Sequence, residues 1–289
     1  MAYNITNGES RNGIILKNDS MVVLDGGIAN STTVNSFGYV HISSGGTANS
    51  ASINELGFVY VSSGGIANNT TANYDGYLSV TSGGIANNTT IRFEGWCYVY
   101  NSAVANNVTV CSKGLLGVAS GGTATNIIAS TGAIIHFDVT PGTYIQGTSG
   151  GSAFVINDGF VSNFSVRSDC SLRVYSHGLA NNTIVNPFGS LSVLSGGTVN
   201  NTTVNSNGSL FVSGGGTANS ITISPYGNTF ISSGGTVNST TLNSGGRLVV
   251  SRDGIANNIT INSGGRLEVS SGGSATNITW TPCVGQVMI

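Results

Sequence analysis

Three carboxylates, Glu55, Asp75 and Glu94, recur about one period apart along this chain. Acids on neighbouring turns of a repetitive fold can share a Ca²⁺ through oxygen ligands or serve as the acid and base of glycoside cleavage. Arg92 is the sole cation near enough in sequence to orient an anionic sugar, and acids on exposed loops are ordinarily solvated. The residues therefore predict no catalytic site and no cofactor, with Glu55, Asp75 and Glu94 kept only as weak calcium candidates. A second set has the same spacing. Tyr39, Phe58, Tyr77 and Trp96 lie nineteen residues apart, and His41, Tyr60 and Tyr98 follow two residues behind members of that set. Rings in such rows suit the faces of sugars or the flat sheet of another protein. They equally suit each other, because cross-strand aromatic pairs stabilise neighbouring strands.

Other chemistry finds little support. His41, His136 and His177 are far apart in sequence, and no nucleophile elbow, phosphate-binding GxxxxGK[ST] or HExxH occurs. Cys97, Cys111, Cys170 and Cys283 show no paired spacing, so four unpaired thiols are expected. Only 7% of the residues are charged, against roughly 25% in an ordinary soluble protein. Without a basic stripe the chain is not a nucleic-acid binder. No apolar run approaches a membrane span, and "MAYNITNGES" does not have the pattern of a secretory leader.

The spacing itself points to the scaffold. "GGIANNTT" stands at Gly64–Thr71 and again at Gly83–Thr90. Aligned on the Gly-Gly step, the chain falls into turns of nineteen residues beginning at 26, 45, 64, 83, 102 and 121, and again at 158, 177, 196, 215, 234, 253 and 272. A repeat of this length means a solenoid. Numbered from the first Gly, positions 7 and 9 are apolar in turns such as Ile221/Ile223 and Val108/Val110, and positions 15 and 17 in turns such as Leu78/Val80 and Leu267/Val269. Both pairs have the period of two expected for strands with one buried face. Positions 14 and 16 then point outward and carry the aromatic rows. Asn at positions 5 and 6 is placed to stack on its own copies. The Gly pair and the Gly at position 13 supply corners where positive φ is expected.

The predicted fold is all-β, a single right-handed parallel β-helix of about fifteen coils, the handedness following from the crossover rule. Residues 1–25 read as a charged capping coil, 26–140 as coils with the outward aromatic stripe, 141–176 as irregular coils and 177–289 as regular coils. The closing "TPCVGQVMI" ends apolar and uncapped, which predicts that the natural chain continues or that a partner covers this end. Asn-x-Ser/Thr triplets such as Asn69-Thr70-Thr71 read as corner and strand residues and not as sites of N-linked sugar.

The stretch "SGGTVNNTTVNSNGSLFVSGGGTANS" resembles the repeats of AIDA-type autotransporter adhesin passengers, and the likeness runs from about Asn7 to Thr281. The resemblance implies a β-helical passenger displayed on a Gram-negative surface or secreted, attaching to host cells or to identical chains, with heptose on Ser or Thr hydroxyls in several members. The partners it implies are carbohydrate or a host-surface receptor, and further copies of the chain. Tyr39, Phe58, Tyr77, Trp96, His41, Tyr60 and Tyr98 are the expected contact residues. A structural rod without ligand is the alternative, and a polysaccharide-active enzyme a more distant one.

Overall fold

The computed structural model describes residues 2–280 and 286–288, with backbone alone at residue 2 and at 286–288. These residues form strands and turns without a helix and wind as a parallel β-solenoid of about fifteen turns. Hence no helix among them could cross a membrane. Most of the closing apolar stretch, including Cys283, lies outside the described residues.

The chain divides into two compact units, residues 1–136 with 142–155, and residues 137–141 with 156–289. The changeover falls in the stretch where the nineteen-residue register is lost. In the first unit, strand Tyr144–Ser149 pairs with Thr123–Ala129 through a register shift between Ala124 and Ile127. In the second, an antiparallel pairing of Ile156 with Val161 interrupts the parallel pattern, and the buried Asp138 carboxylate accepts a 2.7 Å hydrogen bond from Arg173 Nε.

Within the first unit every regular turn contributes to two sheets, the second entered by two short strands in the earlier turns and by one continuous strand from Ile85–Ile91 onward. Positions 14–17 form four-residue strands, Tyr39–Ile42, Phe58–Val61, Tyr77–Val80, Trp96–Val99 and Leu115–Val118. They pair in parallel with equivalent letters side by side: Tyr39 with Phe58, Phe58 with Tyr77, Tyr77 with Trp96. Positions 3–9 form the second sheet, as in Ile85–Ile91 beside Val104–Val110. Alternation buries Val40, Ile42, Val59, Val61, Leu78 and Val80 completely or almost so. Cys97 takes the same inward place, and burial pushes its thiol up to about 12, so it is an inert core residue. Cys97 and Cys111 are free thiols.

Two Asn columns run along the coils. Asn49 donates to Asn30, Asn68 to Asn49, Asn87 to Asn68 and Asn106 to Asn87, at 2.9 to 3.0 Å. The second column, Asn69, Asn88, Asn107 and Asn126, has φ of 52 to 57°, the left-handed geometry that Asn tolerates better than most residues. The second unit repeats the first column at Asn181, Asn200, Asn219, Asn238 and Asn257.

The glycines divide their work differently from the sequence expectation. The first of each pair has the expected positive φ, as at Gly45 (74°). Position 13 does not: a Cβ on Gly76 would overlap the Ile53 carbonyl oxygen of the preceding coil. Gly is required there by close approach of backbones, while the positive φ sits one residue earlier, at Leu56, Asp75 and Glu94.

Candidate ligand-binding face

In-register pairing sets Tyr39, Phe58, Tyr77 and Trp96 in one outward column of the first unit, and His41, Tyr60, Ser79 and Tyr98 in the next but one. Successive turns are ~4.8 Å apart, so rings of adjacent turns must touch. Tyr39 meets Tyr60 with centroids 5.0 Å apart, Tyr60 meets Tyr77 at 6.3 Å, and Tyr77 meets Phe58 at 6.1 Å and Tyr98 at 5.6 Å. Ser79 is 3% exposed, too short to stand out between Tyr60 and Tyr98. The stripe closes at the next turn: Leu115 follows Trp96, and Tyr98's ring lies over Gly117, where a Cβ would find no room.

Tyr77 is the hub. Its hydroxyl lies 3.3 Å from that of Tyr100. Burial, then the hydrogen bond to Tyr100 and the neighbouring phenols, push its ionisation well above the ordinary tyrosine range. Burial and the nearby Tyr60 raise Tyr39 in the same direction. All seven expected contact residues thus face outward on one surface, but six are half-buried against one another. Trp96 alone of the seven is exposed, at 40%. His41 is held by Ser62, with Nε2 2.9 Å from its Oγ.

A groove of about 210 Å³ opens beside the column, lined by Leu56, Asp75, Phe58, Tyr77 and Trp96. Three rings and one carboxylate converge there, giving apolar faces and a hydrogen-bond acceptor at one wall. The other two acids are placed differently. Asp75 and Glu94 share a corner column, for the Asp75 N–H donates to the Glu94 carbonyl at 2.8 Å. Glu55 is one residue out of that column, and Leu56 takes its place. Among the described residues no group of three or more His, Cys, Asp or Glu is arranged to hold a metal ion, so the calcium candidates are not brought together.

The corners also carry rings that the two-residue alternation does not reveal. Phe37, Tyr74 and Phe93 are 61%, 54% and 48% exposed. They lie at positions 11 and 12, and the Lys113 ammonium sits 5.2 Å from the Phe93 ring centre. Tyr100 at position 18, exposed and bonded to Tyr77, extends the stripe one corner further. Their signal was the residue type alone, recurring at corner positions.

A repetitive parallel solenoid with uniform core columns and variable outward columns defines the class, a β-solenoid repeat protein. Residues 146–208 and 223–281 match the AIDA family, described as "adhesin of bacterial autotransporter system, probable stalk". A crystal structure of a TibC-catalysed hyper-glycosylated TibA fragment is 33% identical, with a TM-score of 0.50, over 99% of this chain and 91% of that one. No curated protein matches the sequence significantly. This chain belongs to the AIDA-type autotransporter adhesin family and is an adhesin passenger of that system.

Proposed function

We propose that the first unit binds carbohydrate in the groove between Asp75 and Trp96. The observation that carries this reading is the exposed Trp96 face beside Phe58, Tyr77 and the Asp75 carboxylate in one groove. A sugar ring would lay its C–H face on Trp96 while a hydroxyl donates to Asp75. The half-buried rings behind it are the support that fixes the groove, so stability and binding are divided between residues of one stripe.

A glycan array with the purified chain tests this. Trp96→Ser is expected to weaken a bound glycan about tenfold or more with the melting temperature little changed, whereas binding that survives Trp96→Ser and Tyr77→Ser together removes the site. Turnover of an oligosaccharide that disappears in Asp75→Asn would instead make the groove catalytic.

Contact between identical chains is a second use of this surface, supported by the exposed Phe37, Tyr74 and Phe93 and by a charge content of 7%. Sedimentation across concentration checks it, and a strictly monomeric profile at high concentration removes it. By likeness to the hyper-glycosylated TibA fragment, exposed hydroxyls such as Ser63 and Ser82 are candidates for attached sugar, which intact mass of the natively produced chain would reveal.

A further inference from the structure

In the second unit the same two columns, positions 12 and 14, build a groove of opposite chemistry. Its volume is about 480 Å³, within the range that holds small ligands. The corner column carries Tyr226, 69% exposed, and then drops to Gly245 and Gly264 in the next two turns. Losing two successive side chains opens a backbone floor, with the Tyr226 ring as one wall. Its Cε1 is 3.5 Å from where a Cβ on Gly245 would lie. The opposite wall is Arg247 and Arg266.

These arginines are held in place. Glu268 accepts hydrogen bonds from Arg247 Nε and Nη2 at 2.7 Å each, and forms an ion pair with Arg266, whose Nε lies 2.7 Å from Oε1. The Phe230 ring lies 5.8 Å from the Arg247 guanidinium carbon. The two arginine side chains are 39% and 46% exposed and the carboxylate only 18%. One acid shared by two cations leaves the trio with a net charge of +1, and the arginines are its more exposed members. Asn228, which also lines the groove, is tied by its amide to the Tyr226 carbonyl at 3.2 Å.

We propose that this groove binds a saccharide bearing a carboxylate, such as a uronic acid. The donors that Arg247 and Arg266 do not spend on Glu268 attract a carboxylate by charge and hydrogen bonding. The Tyr226 face provides a surface for the sugar ring, and Asn207 and Asn228 offer amides to its hydroxyls. Arginine with an adjacent aromatic wall selects a charged ring over a neutral one. The proposal does not depend on the Trp96 groove.

The test is calorimetric titration of the full chain with a glucuronate-containing tetrasaccharide and with its carboxyl-reduced, neutral counterpart. The acidic form is expected to bind at least about tenfold more tightly, and added salt to weaken it. Arg266→Gln and Tyr226→Ser should each weaken it about tenfold or more. Tyr226 is an exposed corner residue, so its variant reads the site without touching the core. Trp96→Ser should leave this binding unchanged, which separates the two grooves. The proposal is overturned by equal affinity for the acidic and neutral forms, by affinity indifferent to both variants, or by no heat of binding at millimolar saccharide. A polyglutamate peptide that competes with equal affinity would overturn the saccharide assignment as well.

Discussion

The two units present the same columns with different occupants. In the first, positions 12 and 14 hold Leu56, Asp75, Phe58, Tyr77 and Trp96, which enclose a small groove walled by rings. In the second they hold Tyr226, Gly245, Gly264, Arg247 and Arg266, which enclose a larger polar one. Yet inward positions 15 and 17 are filled alike, with Leu78 and Val80 in one and Leu248 and Val250 in the other, all fully buried. The lesson is a separation of duties. Burial and the Asn columns hold each coil on the last, so the outward letters can vary between the units while the core stays the same.

The largest effect that would test this comparison lies at position 13. Gly76→Ala puts a Cβ against the Ile53 carbonyl oxygen, whereas at Gly265 the nearest atoms, Leu242 Cβ and O, are 3.0 Å away. Gly76→Ala should therefore cost about 1–3 kcal/mol and Gly265→Ala less, read as denaturant or thermal midpoints. Equal losses would mean that these two corners are equally tight.

A smaller effect is expected in alkali. Tyr77 ionises above its ordinary value of 10.0 because the fold buries it. The stabilisation is fully present below that value and is lost as pH rises through the folded-state value. The second unit's stacked pair, Phe211 and Phe230 with centroids 5.2 Å apart, has no proton to lose. Hydrogen exchange should show the first unit loosening first as pH rises, by about 1 kcal/mol after solvent screening, and Tyr77→Phe should reduce the difference, with Tyr39 keeping its share.

The smallest effect runs the other way. The hydrogen bond from Arg247, and then its charge and that of Arg266, hold Glu268 below the usual glutamate value of 4.5. Its contribution is present above the unfolded value and lost as pH falls through the folded one. Glu268→Gln should remove this acid sensitivity from the second unit, a change of about 1 kcal/mol or less at neutral pH, and leave the first unit untouched.

The fold was readable because a period of nineteen fixes which letters lie over which, and strand alternation then decides inside from outside. Leu78, Cys97, Tyr77 and Trp96 all follow from those two facts. Corners obey neither. A side chain at position 11, 12 or 18 points where the turn's φ and ψ send it, so Tyr74, Phe93 and Tyr100 were not assigned to the stripe. The half-burial of Tyr39 and Tyr77 depends on ring packing between turns, which letter counting does not weigh. Likewise the arginine groove required knowing that Gly245 and Gly264 are floor and not merely corner. Position 13 misled for a related reason: its Gly answers to a carbonyl in the previous coil, a contact nineteen residues away.

The Asn columns give the molecule adjustable length. Where Asn follows Asn, each amide donates to the equivalent amide one turn earlier, so such joints are interchangeable. Excising residues 85–103 would seat Asn106 on Asn68 through the same pair of atoms that Asn87 uses at 3.0 Å. A gene that gains or loses such units in whole multiples lengthens or shortens the passenger without redesigning the Asn column, although the outward rings change with the units removed.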